Sequence, residues 1–195
     1  LAFTNSPFFP TIMAYDEGKW LYGADAINIP GAIIDIKRML GVPFDSPTLT
    51  EAKEMWESQG INIRKELQQP DKAYQGIQIG IEKPSGEVEW MNPEDLAAQY
   101  IQWLCKICIG HNPTGKLAVT YPAKYNQYQK DATREVYKKA GFSNIYMISE
   151  PSAAGLAIAN NDSFKNRSFE NLLVCDFGGG TLDVTLMKTS IFDKS

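Results

Sequence analysis

Apolar and polar positions alternate with two different periods along this chain, and the switches between them mark its elements. Thr11-Ile12-Met13-Ala14-Tyr15 and Lys19-Trp20-Leu21-Tyr22 flank Asp16-Glu17-Gly18. Two short runs on either side of a glycine-bearing turn predict a hairpin. Gly23 to Leu40 reads as helical with an interruption at Pro30-Gly31, and Gly41 is its expected stop. Thr48-Leu49-Thr50-Glu51 has the form of a capping box and predicts a helix through Gln59. Gly60 to Gly86 predicts short strands and turns, among them Gly76 to Ile81, with Lys83-Pro84-Ser85-Gly86 turning into a strand at Glu87 to Trp90. Asn92-Pro93-Glu94-Asp95 is a helix start: a cap, a proline at the first position, then acids at the positive dipole end. That helix is expected to reach Ile109, with Leu96, Tyr100, Trp103 and Ile107 on its core face.

From Lys116 onward strands and helices alternate. Lys116 to Tyr121 reads as a strand stopped by Pro122, and Asn126 can cap a helix to Ala140, with Gly141 after it. Asn144 to Ser149 reads as a further strand, followed by Glu150-Pro151 and a helix of small residues, Ser152 to Ala159. This order indicates α/β architecture. The last patterned stretch is Asn171 to Lys188, an apolar run ending at Asp176, then Phe177, three glycines, and an alternating strand from Thr181.

That stretch carries the candidate chemistry. If Gly179-Gly180 form the centre of the turn, Gly178 faces Thr181, Phe177 faces Leu182, and Asp176 faces Asp183. Like charges opposed across a strand pair are destabilising. At ~5.5 Å and an effective dielectric of 20 to 80 the repulsion is about 1–3 kcal/mol. A hard cation such as Mg²⁺ between the carboxylates reverses its sign. Gly178, Gly179 and Gly180 let backbone N–H groups approach a phosphate, and Thr181 adds a hydroxyl. Together these suggest a metal–phosphate site; a surface hairpin with solvated aspartates is the plainer alternative.

Composition narrows the partners. With Lys+Arg 19 against Asp+Glu 23 the net charge is −4, and no basic block stands out, so nucleic acid is not an expected partner. There is no apolar run of membrane-spanning length. Cys105, Cys108 and Cys175 make no disulfide framework, which fits a reducing compartment and a cytoplasmic location. Cys105 and Cys108 form a CxxC inside a helical pattern and are expected to face the core.

The residues from Leu117 to Met187 resemble a known family. Leu117-Ala118-Val119-Thr120-Tyr121-Pro122-Ala123-Lys124-Tyr125-Asn126, Ala132-Thr133, Ser149-Glu150-Pro151-Ser152-Ala153-Ala154 and Asp176-Phe177-Gly178-Gly179-Gly180-Thr181-Leu182-Asp183-Val184 look like the nucleotide-binding domain of the seventy-kilodalton heat-shock chaperones. Asp35-Ile36-Lys37-Arg38-Met39-Leu40-Gly41 resembles the family's helix-borne lysine motif, and Tyr22-Gly23-Ala24-Asp25-Ala26 also fits. The likeness is weaker over Pro43 to Glu89.

The resemblance implies an α/β, actin-like ATPase (ribonuclease-H-like) fold, here incomplete: the first lobe only, with a small α+β outer subdomain. Residues 1–42 and 116–195 would belong to the core subdomain and 43–115 to the outer one. It implies ATP or ADP with Mg²⁺, and K⁺ as a further cation. Carried over by position, Lys37 orients the attacking water, and Glu150 and Asp176 hold the Mg²⁺ water shell. Gly178 to Gly180 donate to the phosphates, Thr181 contacts the γ-phosphate or water, and Asp183 helps bind a cation. Pro122 matches the family's switch proline, and its relay arginine falls at Lys130, a point charge in place of a planar fork.

The family's first phosphate loop and second lobe are not found within these residues, so the piece alone is expected to bind ATP poorly and turn it over negligibly. Expected partners are nucleotide and, for the full protein, unfolded clients, J-domain co-chaperones and nucleotide exchange factors, with no nucleic acid and no membrane. The leading function is an ATPase module of a folding chaperone. The alternative is a non-hydrolysing regulatory relative, and a sugar-kinase-like member of the superfamily fits less well with Glu150-Pro151-Ser152-Ala153-Ala154.

Overall fold

A computed structural model describes residues 9–68, 72–112, 115–159, 171–177 and 182–188; at 48, 51, 159, 177, 182 and 183 it describes the backbone alone. The chain divides into two compact units, Leu1–Gly115 with Gln127–Ser143, and Lys116–Asn126 with Asn144–Ser195.

In the first unit, β1 (Ile12–Asp16) and β2 (Lys19–Tyr22) form the predicted hairpin. Glu17 (φ 47°) and Gly18 (φ 81°) both take left-handed backbone at its turn, which suits the right-handed twist of the strands. β1 also pairs with the short β3 (Ile33–Ile34), giving the order β2-β1-β3.

The helix expected over Gly23 to Leu40 does not form. The segment is a 3-10 turn at Gly23–Ala26, then β3, then a second 3-10 turn at Ile36–Met39. Asn28 (φ 70°), Gly31 (φ 71°) and Asp35 (φ 54°) are left-handed, which no helix accommodates.

Helix α1 (Pro47–Ser58) starts two residues earlier than the capping-box reading placed it. Its cap is Ser46, whose hydroxyl oxygen accepts from the Leu49 N–H at 3.3 Å, with Pro47 at the first helical position. A second sheet, β4-β5-β6, is antiparallel: β4 (Asn62–Lys65), β5 (Ile77–Glu82) and β6 (Val88–Met91). β5 turns alternate residues, Ile77, Ile79 and Ile81, into the core.

Helix α2 (Pro93–Ile109) follows as read from the sequence, closed by Gly110 at φ 76°. Asn92 does not cap it through its side chain; its Oδ1 instead accepts from Gln78 Nε2 at 3.1 Å. Leu96 and Tyr100 are buried and Trp103 stacks on Tyr22 at 5.3 Å, as expected of that face. The two cysteines depart from expectation: Cys105 is half-buried and Cys108 is exposed. Helix α3 (Gln127–Ala140) lies against α2, burying Ala132, Val136 and Ala140 at four-residue spacing. Gln102 Nε2 donates to the carbonyls of Lys139 (3.3 Å) and Ala140 (3.4 Å), satisfying the end of α3.

The second unit holds the parallel pair β7 (Lys116–Tyr121) and β8 (Asn144–Ser149), helix α4 (Glu150–Ala159), and the antiparallel pair β9 (Asn171–Phe177) and β10 (Leu182–Lys188). α4 packs against both strand pairs. Parallel and antiparallel pairs, four helices and several small sheets among the described residues make this a mixed α/β protein.

Candidate functional site

In the second unit β7 and β8 run in register from Lys116↔Asn144 to Tyr121↔Ser149. The next residues, Pro122 and Glu150, therefore leave the sheet side by side at its carboxyl edge. That edge is where open parallel sheets present ligand-binding groups. Glu150 is also the first residue of α4. Ser149 caps this helix: its Oγ accepts from the Ser152 N–H at 3.3 Å and donates to Ser152 Oγ at 2.6 Å. The cap fixes where the helix begins, and so holds Glu150 in the first turn, where the dipole favours a carboxylate.

Beyond β7 the chain turns back, with the Tyr125 N–H donating to the Pro122 carbonyl at 3.0 Å. The Tyr125 phenol is pushed up from 10.0 to about 12, first by burial and then by the Glu150 carboxylate. Tyr125 therefore lies within the field of Glu150, a neighbour that the sequence pattern did not single out. Its place three residues past Pro122, on the loop closing the same strand edge, is the signal that could have found it.

In the hairpin, β9 and β10 pair with Phe177 opposite Leu182 and Asp176 opposite Asp183. This is the register expected from the glycine turn. Gly178, Gly179, Gly180 and Thr181 lie outside the described residues, as does the Asp183 side chain. Asp176 is exposed. Val174 and Leu172 lie two and four residues before Asp176 on the same face of β9; Val174 is buried and Leu172 half-buried. A Cβ placed on Gly155 of α4 would run into the Met187 thioether and lie 3.6 Å from Leu172 Cδ2. Helix and hairpin thus meet closely at a glycine, which positions the hairpin against the helix that begins with Glu150.

Lys37 belongs to the first unit. It sits on the second 3-10 turn, closed by the Arg38 N–H on the Asp35 carbonyl at 2.8 Å. Ile36 and Met39 go into the core, and Lys37 and Arg38 are exposed. Gly41 ends the segment at φ 65°, with a Cβ there clashing with the backbone of Tyr128 and Gln129, and its N–H donates to Glu94 Oε1 at 3.4 Å. Lys130, half-buried, is in the first turns of α3 in the same unit. Pro122, Glu150, Asp176 and Asp183 all belong to the second unit.

Chemically, Glu150 and Asp176 offer the hard oxygen donors that Mg²⁺ takes, often through water. Among the described side chains no three metal-ligating groups converge on one point.

Comparison with known proteins sets this geometry in a family. The family model for Hsp70 protein matches residues 7–191. The chain is 31% identical over 196 residues to the chaperone protein dnaK of Cyanophora paradoxa, covering 95% of this chain and 28% of that one. It is 30% identical over 199 residues to a heat shock protein homolog of Encephalitozoon cuniculi, covering 91% and 29% respectively. It is 28% identical over 192 residues to a heat shock protein 70 homolog of Acanthamoeba polyphaga mimivirus, covering 93% and 20%. The chain thus spans under a third of the length of these relatives. A match over almost every residue places this chain in the Hsp70 family of heat-shock chaperones.

Proposed function

We propose that these residues supply part of the nucleotide-binding and hydrolysing machinery of an ATP-dependent chaperone. The observation that carries the reading is the hairpin register that opposes Asp176 and Asp183 on either side of Gly178 to Thr181. Carboxylates opposed in that register would repel by about 1–3 kcal/mol, and a cation with a polyphosphate would reverse the sign.

In this reading Glu150 and Asp176 hold the hydration shell of Mg²⁺, and Asp183 contributes to binding Mg²⁺ or K⁺. Gly178, Gly179 and Gly180 offer backbone N–H groups to the phosphates of ATP or ADP, and Thr181 offers its hydroxyl to the γ-phosphate or to water. Lys37 balances charge and orients the water that attacks. Lys37 is an exposed residue on a turn whose neighbours Ile36 and Met39 are buried, which supports that role. When bound, Mg²⁺ neutralises charge on the transferring phosphoryl group, the main demand of phosphoryl transfer. Pro122 and Lys130 relay the state of the nucleotide.

The fold that goes with this function is the actin-like one. Residues 1–42 and 116–195 form the core subdomain of its first lobe, and 43–115 the outer one. The full protein acts in the cytoplasm on unfolded polypeptides, with J-domain co-chaperones and exchange factors.

A second reading is a regulatory relative that binds nucleotide without hydrolysing it. Lys130 favours it, because a lysine cannot reproduce the two-pronged contact of the relay arginine. Single-turnover hydrolysis of ATP by the full natural protein separates the two. An active enzyme loses about 100-fold or more in rate with Lys37→Met, the usual scale for removing one transition-state partner. Equal rates for the wild type and Lys37→Met contradict the catalytic role, and bound but unhydrolysed ATP in both selects the regulatory reading.

A further inference from the structure

The first unit contains a cleft of about 590 Å³ that the nucleotide chemistry does not use. Its walls come from residues 66 and 72–74 between β4 and β5, the first turn of α2 and the exposed side of α3, with Glu66, Tyr74, Glu94, Tyr128 and Asp131 among them. Four carboxylates face two ammonium groups, since Glu135, Lys72 and Lys139 complete its charges.

Both ammonium groups are already engaged. Lys72 Nζ lies 2.6 Å from Glu66 Oε2 and 4.8 Å over the Tyr74 ring. Lys139 is paired with Asp95. Glu94 is different. It is only 8% exposed, it pairs with no cation among the described residues, and its single hydrogen bond, from the Gly41 N–H, is long at 3.4 Å. A buried carboxylate so weakly compensated is costly, and the α2 dipole at its N-terminus offsets only part of the cost.

Beside it, Tyr74 and Tyr128 stand with ring centroids 4.7 Å apart. The Tyr74 phenol is driven well up by burial and then by Glu94, Glu66 and Asp131, so three acids converge on this one ring. Acid next to aromatic face is the chemistry that recognises an organic cation. The Lys72 contact shows the same wall already holding one ammonium in this way.

We propose that this cleft binds a primary alkylammonium group, with Glu94 as its counter-ion and Tyr128 beside Tyr74 as its aromatic wall. Two sources supply such a group: a small polyamine, or a lysine side chain on a polypeptide. Asp131 and Glu135 attract it from the rim, where their pairings with Arg134 (3.3 Å) and Lys138 (3.8 Å) are exposed and weak.

The test is titration of the full natural protein with spermidine and, separately, with acetyl-Gly-Lys-Gly-amide, followed by calorimetry and by amide NMR shifts. Binding at about 1 mM or tighter is expected for at least one probe, with shifts centred on Tyr74, Tyr128 and Ala132. Glu94→Gln and Tyr128→Ser each weaken it by about tenfold or more. Binding of spermidine alone identifies a polyamine site, and binding of the peptide a polypeptide-lysine site. Tyr128 is 39% exposed, so its variant keeps the fold if Glu94→Gln does not. Absence of binding by both probes overturns the proposal, as does unchanged affinity in a folded variant.

Discussion

Single residues here show where local chemistry overrides pattern. Ser46 caps α1 although Thr48 has the capping-box spacing, because Pro47 fixes the first helical φ and has no N–H to satisfy. The Ser-Pro pair was visible in the sequence and outweighs the box. Tyr125 carries a testable consequence of Glu150. Its folded pKa, about 12, lies above the 10.0 of an ordinary tyrosine. Its contribution to stability is therefore complete below pH 10 and is lost as pH rises through about 12. Thermal melts between pH 9 and 12 should show a fall that is shallower in Tyr125→Phe. In Glu150→Gln, ultraviolet titration should find Tyr125 ionising at lower pH than in the wild type, still above its ordinary value because burial is the larger cause. An unmoved titration would mean that the two groups do not sense each other.

At the scale of elements, hairpins, α2 and the order β7-α3-β8-α4 were legible because turn residues and periodicity agree. Gly23 to Leu40 was not. Ile33, Ile36, Met39 and Leu40 are all buried, and their spacing imitates a helix face. Strand β3 and a 3-10 turn bury the same set, and Asn28, Gly31 and Asp35 supply left-handed backbone that those residue types tolerate best. The Lys37 motif therefore rides on a short turn, anchored on each side by buried residues. The small residues of α4 permit close packing, and Gly155 is where that closeness is needed. Gly155→Ala gains helix propensity of about 1 kcal/mol and displaces only the flexible end of Met187, so its net effect on stability is small. Gly155→Leu cannot be absorbed this way and should cost about 1–3 kcal/mol by overpacking against β9 and β10. Urea unfolding of both variants checks this; equal stability of the leucine variant and the wild type would mean that α4 does not dock there.

For the molecule as a whole, the candidate site was legible in part. The opposition of Asp176 to Asp183 follows from the glycine turn alone, and the β10–β9 pairing has that register. The adjacency of Pro122 and Glu150 was not legible, because it depends on how β7 and β8 align, which no local pattern encodes. Nor was the burial of Glu94, since an acid in the first turn of a helix ordinarily meets solvent. No helix among the described residues is long and apolar enough to cross a membrane. The proposed function rests on one central claim, that Asp176 serves a magnesium-bound nucleotide. Its most direct test is equilibrium binding of ATP to the full natural protein with Mg²⁺ and with chelator, for the wild type and Asp176→Asn. The account predicts that Mg²⁺ strengthens binding to the wild type and that the variant loses about tenfold or more of that gain, while binding in chelator is unchanged. The same magnesium-dependent affinity in both proteins would contradict it.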